Sequence, residues 1–245
     1  MDAAELNKLQ HNVLIRFNQL GLLSDKLNTL LADEVQTYRA RLKSISSDPL
    51  FQEELPEEAH LPLGKLRELR KTEPEKVQRI IKQIQLQSEH SGLNLDIMLT
   101  EQIFPSLTFS SLAMMAFAMF DESLSLVCSA ISEIRGHKLK LNDLSGHSTI
   151  EKTQQYVTKV ASLQYDFANS SDWQRIRGHY DVRNLLAHNG GVLDQSDRAN
   201  KVKIFIQSKQ TVLKIQSGGL QIGREYIEEL INDLQQWMLS IFDLL

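Results

Sequence analysis

The stretch DVRNLLAHNGG, residues 181–191, contains three side chains that could take part in catalysis, and they lie close together in sequence. Arg183, Asn184 and His188 lie within about one and a half turns of a helix. Histidine titrates near neutral pH, so it can both accept and donate a proton there. The planar guanidinium of arginine presents a fork of donors that matches phosphate oxygens. These residue types are suited to holding a phosphate and moving a proton beside it.

The helix that must position them is predicted to begin near Asp172 and to stop at Gly190-Gly191. On a wheel of about 100° per residue, its apolar side chains gather on one side. Those side chains are Val182, Leu185 and Leu186. The opposite, polar face consists of Tyr180, Asn184, Ala187 and His188, with Arg183 at its edge.

A small Ala187 at the centre of the polar face would let two copies of the helix cross closely. Such a crossing would bring Arg183, Asn184 and His188 of both copies into one cleft. This pattern favours a two-fold homodimer with a composite active site. The alternative is purely structural, because cations near a helix C-terminus interact well with its dipole and Gly190 is an ordinary cap.

The run RNLLAHNGG resembles the motif of the HEPN superfamily (higher eukaryotes and prokaryotes nucleotide-binding). That motif is an arginine, a polar residue and, after a spacing of four to six residues, a histidine; here four residues separate Arg183 from His188. The resemblance covers roughly residues 100–245 and implies an HEPN-like helical bundle with the motif near the end of its third helix.

The resemblance implies a metal-independent endoribonuclease that acts at a site shared by a homodimer. His188 would be the general acid or base at the ribose 2′-hydroxyl or the leaving 5′-oxygen. Arg183 would hold the scissile phosphate, and Asn184 would orient the phosphate or the histidine. Many members serve in bacterial defence or in toxin–antitoxin and stress systems, so an antitoxin or defence-system partner is expected. The toxin branch paired with nucleotidyltransferases usually carries a tyrosine shortly after the histidine, and this chain has none there.

Further residues are expected to support this site. The candidate RNA contacts are Tyr180 on the polar face, Asn189 after the histidine, and Arg177. Arg177 belongs to a local positive face that also includes Arg175 and Arg183. The family often has an acidic residue in the first bundle helix. Asp121 and Glu122 are both candidates for that role, and the sequence does not choose between them.

The rest of the chain predicts an all-α fold with a small β-hairpin before the last helix. Apolar residues at three- and four-residue spacing predict helices over residues 6–31, 74–90, 109–135, 149–167 and 224–245. VKIFI and TVLKI, residues 202–206 and 211–215, are β-branched and predict the two strands. The Pro-rich stretch 47–64 predicts a linker or an irregular loop. We expect a helical N-terminal extension over residues 1–95, followed by the HEPN-like domain over residues 100–245.

Composition excludes several other classes of function. The net charge of −4 gives no global attraction to nucleic acid, so such binding requires a local patch. No His-Glu-x-x-His, Cys-x-x-Cys or phosphate loop is present, and the remaining histidines show no metal-ligand spacing, so neither a metal nor a cofactor is expected. The most apolar run, residues 111–120, is shorter than the ~20 residues of a membrane span. One cysteine and no basic-then-apolar start predict a cytoplasmic protein without disulfides.

The alternative function is a non-catalytic helical module that dimerises and binds nucleotide, RNA or a protein.

Overall fold

Helices form nearly all of the regular structure, and the predicted all-α class is confirmed. A computed structural model describes residues 3–146, 148–167, 169–208 and 211–245. The α-helices are α1 (Ala3–Ser46), α2 (Pro49–Gln52), α3 (Leu63–Thr72), α4 (Pro74–Met98), α5 (Phe104–Arg135), α6 (Thr149–Gln155), α7 (Ser171–Asn189), α8 (Asp197–Gln207) and α9 (Arg224–Phe242). Two π-helical turns, Leu99–Ile103 and Tyr156–Val160, and two 3-10 turns, Glu57–His60 and Leu141–Asp143, complete the helical segments.

The described residues divide into two compact units. The bundle unit comprises Met1–Leu27 and Ser106–Leu245, and the second unit comprises Asn28–Pro105. The sequence grouped residues 1–95 as one extension, whereas this division puts the start of α1 in the bundle unit. Its apolar residues explain why, because Val13, Phe17 and Leu20 are buried in the same core as α5.

Helix α5 lies at the centre of the bundle unit, as its high apolar content predicts. Ala113, Ala116 and Phe120 are completely buried. The ring of Phe120 meets that of Trp237 edge-on at 5.6 Å between centroids, and Trp237 in turn lies 5.4 Å from Trp173. Aromatic contacts therefore join α5, α7 and α9 around one core.

The prediction of a strand over residues 202–206 is wrong, because these residues belong to helix α8. The Ser196 hydroxyl caps α8 by accepting from the Ala199 backbone N–H at 3.3 Å. Ala199, Val202 and Phe205 are buried at three-residue spacing, which is a helical pattern. The β-branched residues that suggested a strand include Ile204, which is exposed.

The hairpin lies further along the chain than predicted. Strands β1 (Lys214–Gln216) and β2 (Gly219–Gln221) are antiparallel, with Ile215 opposite Leu220. The Leu220 N–H donates to the Gly191 carbonyl at 2.9 Å, and the Leu193 N–H donates to the Gly218 carbonyl at 2.9 Å. The hairpin therefore holds the chain just after α7. Lys209 and Gln210 of the predicted turn lie outside the described residues.

The helix predicted over residues 149–167 is shorter in the structure. Helix α6 continues into the π-helical turn Tyr156–Val160, and the chain leaves the helix at Ser162, whose φ is 53°. Ser148 caps the start of α6, accepting from the Glu151 N–H at 3.3 Å. The start of α6 and the polar face of α7 line the same cleft.

The second unit contains the remainder of α1 together with α2, α3 and α4. The predicted linker over residues 47–64 includes short helical turns within this unit. The Arg79 guanidinium holds both carboxylate oxygens of Glu53, at 2.5 and 2.6 Å. The Gln83 amide, which is buried, donates to the Glu53 carbonyl at 2.7 Å. These bonds fix the stretch after α2 against α4.

One helical run, Pro74–Arg135, is long and apolar enough to cross a membrane by length and composition. In the most apolar 18-residue stretch of this run, 33% is buried inside the structure. The core helix of a soluble protein gives the same pattern, so this run alone is weak evidence for a membrane span.

Candidate functional site

A polar cleft of about 620 Å³ opens in the bundle unit. It lies among side chains of α5, α6, α7 and α8, and it contains the three residues of the RNLLAH motif. The charged and motif residues that line it are Asp121, Glu151, Arg177, Asp181, Arg183, Asn184, His188, Arg198 and Lys201.

Helix α7 positions the motif through well-formed caps at both ends. The Ser170 hydroxyl accepts from the Trp173 N–H at 3.1 Å at the start of the helix. At the other end Gly190 adopts the left-handed conformation, with φ 58°, and its N–H donates to the Leu186 carbonyl at 3.1 Å. His188 therefore lies in the last helical turn, with its side chain exposed at the cleft.

Arg183 is half-buried and is oriented by its neighbour. Its Nη1 donates to the Asn184 side-chain oxygen at 3.0 Å. Its Nε is buried and has no hydrogen-bond partner among the described residues. A buried donor without a partner is costly. The bond to Asn184 orients the guanidinium at the cleft.

Asp121 faces the cleft and accepts a hydrogen bond from the Tyr180 hydroxyl. Burial raises the pKa of Asp121, and the opposing effects of Tyr180, Arg183 and Thr149 are smaller. Burial also raises the pKa of Tyr180, with the Asp121 charge adding to the shift. Tyr180 consequently stays a hydroxyl donor over the whole physiological range.

The structure gives Tyr180 a different place from that expected for an open substrate contact. Its ring is only 6% exposed and meets the Phe117 ring edge-on at 5.2 Å. The aromatic ring belongs to the core, while the hydroxyl reaches Asp121 at the cleft. Tyr180 therefore orients Asp121 and offers no free face for stacking.

Of the two candidate acids, only Asp121 lines the cleft. Glu122 is exposed and forms an ion pair with Arg16 at 2.9 Å. Asn189, also expected at the site, donates from its side-chain amide to Asp194 at 2.9 Å and does not line the cleft. Arg177 does line it.

The cleft has a cationic rim formed by Arg177, Arg198 and Lys201, which are all exposed. Among the described residues, none of these three cations has a carboxylate within ion-pair distance. Asp181 lies beside them, and burial raises its pKa despite the nearby charges of Lys201 and Arg177. The rim is therefore a local positive patch on a chain whose net charge is negative.

Sequence reasoning missed Arg198 and Lys201 because it assigned no helix to residues 197–207. It also placed Arg175 on the positive face, but the Arg175 guanidinium binds Asp233 at 2.6 Å. The signal for α8 was present in the Ser196 cap and the three-residue spacing of Ala199, Val202 and Phe205.

A second cluster of polar residues joins α7 to α9 and was also missed. His179, Glu229 and Asp233 bring one imidazole nitrogen and two carboxylates within 4.8 Å of one another. Glu229 and Asp233 are four residues apart on α9, which places them on one helix face. Among the described residues, this is the group of histidine and acidic side chains whose ligand atoms lie close enough together to hold a metal ion. Of the histidines in the sequence, His147 lies outside the described residues.

Comparisons of the chain with protein-family models, with curated proteins and with solved structures found no match.

Proposed function

We propose that this protein is a metal-independent endoribonuclease of the HEPN type. The observation that carries the proposal is the pairing of Arg183 and His188 in one positively rimmed cleft. Arg183 has a guanidinium that Asn184 orients, and His188 is an exposed imidazole. Both meet in the cleft at the spacing of the motif that RNLLAHNGG resembles. A role in bacterial defence or in a toxin–antitoxin or stress system extends the same resemblance.

The proposed reaction uses the nucleophile that RNA itself carries. His188 removes the proton from a ribose 2′-hydroxyl, whose oxygen attacks the adjacent phosphorus. The bond from phosphorus to the 5′-oxygen breaks, and that oxygen takes up a proton from a general acid, a role that His188 of a second protomer would fill. The products are a 2′,3′-cyclic phosphate and a 5′-hydroxyl. Arg183, oriented by Asn184, stabilises the charge that develops on the phosphate oxygens.

The direct test is incubation of single-stranded RNA with the purified protein in excess EDTA. We expect RNA to be cut and its products to end in a 2′,3′-cyclic phosphate. DNA of the same sequence should remain intact because it lacks the 2′-hydroxyl. Cleavage that requires an added metal, or that also degrades DNA, would contradict the proposed mechanism.

We expect the active form to be a homodimer with a composite site. One His188 cannot easily serve as base at one oxygen and as acid at another at the same time, and a two-fold axis beside exposed Ala187 would supply a second copy. Multi-angle light scattering at micromolar concentration should report about twice the chain mass of 28.0 kDa. A monomer that persists at increasing concentration would exclude the composite site.

The cationic rim should contribute to RNA affinity through phosphate contacts. Lys201→Gln and Arg198→Gln should each weaken RNA binding and reduce the slope of log affinity against log salt by about 0.7, the value for one phosphate contact on a single strand. Fluorescence anisotropy over a range of KCl concentrations measures both quantities. Lys203→Gln is the matched control, because Lys203 lies on α8 but donates to the Asp194 carbonyl at 3.0 Å and does not line the cleft. Equal slopes for Lys201→Gln and Lys203→Gln would refute the assignment of the rim.

A further inference from the structure

The cluster between α7 and α9 has the geometry of a cation site. The His179 Nε2 lies 2.8 Å from Asp233 Oδ2 and 3.8 Å from Glu229 Oε1. Two ligands of one zinc ion, each about 2.0–2.1 Å from the metal, lie roughly 2.9–3.4 Å apart for coordination angles between 90° and tetrahedral. The observed separations bracket this range, so small side-chain movements would bring all three atoms onto one ion.

Glu229 provides an independent indication that something is bound there. Its side chain is nine-tenths buried, and its Oε1 has no hydrogen-bond partner among the described residues. The other carboxylate oxygen accepts from the Val212 N–H at 2.6 Å, which fixes the direction of the group. Burying a carboxylate oxygen without a partner is unfavourable. A cation beside His179 would satisfy it.

The surroundings of His179 suit a metal ligand. The imidazole is completely buried, and its Nδ1 lies 3.2 Å from the Tyr226 hydroxyl. A ligating histidine usually donates its second ring N–H to a neighbouring group, which orients the ring. With an ion bound at Nε2, the Nδ1 N–H would face the Tyr226 hydroxyl.

Arg175 shares this cluster with His179 and the two carboxylates. The cluster holds two carboxylates and one guanidinium, since Arg175 donates to Asp233 Oδ2 from Nε at 2.9 Å and from Nη2 at 2.6 Å. Arg175 is 36% exposed, so its side chain can move while the deeper groups stay in place.

We propose that His179, Glu229 and Asp233 bind one divalent cation of the zinc class, which joins α7 to α9. One imidazole and two carboxylates form a three-ligand set that leaves a coordination position for water. None of the three residues lines the polar cleft, so the ion stabilises the bundle and takes no part in cleavage. Because the Arg175 guanidinium contacts Asp233 at 2.6 Å, its side chain would have to move when the ion binds.

Calorimetric titration of the EDTA-treated, dialysed protein with Zn²⁺ tests the site. We expect one Zn²⁺ per chain and a higher Tm in its presence. Glu229→Gln keeps an acceptor for the Val212 N–H but loses the charge, so it should weaken Zn²⁺ binding at least about 10-fold, the lower range reported for altered metal surroundings. Arg175→Gln removes the competing cation and should strengthen binding.

His60→Ala is the control for adventitious binding, because His60 is an exposed histidine in the other unit. It should leave the affinity and stoichiometry unchanged. Should Glu229→Gln fold poorly, the Arg175→Gln variant and the ligand-field absorption of bound Co²⁺ still report on the site. No Zn²⁺ binding, or binding that His60→Ala lowers and Glu229→Gln does not, would overturn the assignment. RNA cleavage in EDTA is a separate measurement, so failure of either proposal leaves the other intact.

Discussion

Replacing His188 or Arg183 with alanine is expected to reduce RNA cleavage by orders of magnitude while the protein remains folded. A positioned proton-transfer group typically contributes about 10²–10⁴-fold to a rate. One preorganised donor at a charged transition state contributes about 10²–10³-fold. His188 is exposed and Arg183 lies outside the buried core, so neither change should disturb packing. Single-turnover cleavage of a labelled single-stranded RNA in EDTA gives the rates, and circular dichroism with thermal unfolding verifies the fold.

Two further variants separate chemistry from charge alone. Arg183→Lys keeps the positive charge but loses the fork that Asn184 orients, so it should recover little of the lost rate. Arg177→Ala removes a rim arginine of the same helix and should weaken binding with a small effect on the single-turnover rate. If His188→Ala and Arg183→Ala fold and cut RNA as fast as the parent, these residues are structural. If the parent cuts no RNA, the alternative of a non-catalytic interaction module takes precedence.

The sequence predicted those parts of the site that depend on local pattern. The position of α7, its glycine stop and the central helix α5 all followed from spacing and caps, and the motif residues Arg183, Asn184 and His188 do line one cleft. Apolar periodicity sets these features within a single helix, so no knowledge of tertiary contacts was needed.

Other parts of the site depend on contacts between distant residues. The helical wheel placed Tyr180 on the polar face, but tyrosine has an apolar ring and a polar hydroxyl. In the structure the ring packs against Phe117, and the hydroxyl bonds to Asp121. Only the tertiary contacts show that these two parts of the side chain have different surroundings. Asp121 and Glu122 are neighbours in sequence, and only the packing of α5 shows that Asp121 lines the cleft while Glu122 faces Arg16 of α1. Likewise, Arg175 donates to Asp233, which lies 58 residues further along the chain.

Helix α8 was missed for a different reason. Its β-branched residues alternate over a short run, and a short apolar run of this kind does not by itself distinguish a strand from a buried helix. The deciding factor is tertiary, because α8 packs directly against Gly178 of α7. This contact brings Arg198 and Lys201 to the cleft, and the close approach of two helices at a glycine is visible only in three dimensions.

Gly178→Ala should therefore destabilise the bundle unit, although alanine is the better helix former by about 1 kcal/mol. A Cβ at this position would lie 2.4 Å from Cδ2 and 2.5 Å from Cε2 of Phe205. Phe205 is buried and cannot turn away freely. Overpacking of this kind costs about 1–3 kcal/mol, which exceeds the gain in helix propensity. Urea unfolding followed by circular dichroism measures the change in the free energy of unfolding.

Gly21→Ala is the matched control, because Gly21 lies within helix α1 of the same unit and a Cβ there would meet nothing within 4 Å. It should stabilise the protein by up to about 1 kcal/mol, opposite in sign to Gly178→Ala. Combining Gly178→Ala with Phe205→Leu should cost less than the sum of the two single changes, since the smaller side chain leaves room for the methyl group. The displaced α8 should also weaken RNA binding through Arg198 and Lys201, more than Gly21→Ala does. If Gly178→Ala were as stable as Gly21→Ala, close packing of α8 on α7 could not be what places the rim cations at the cleft.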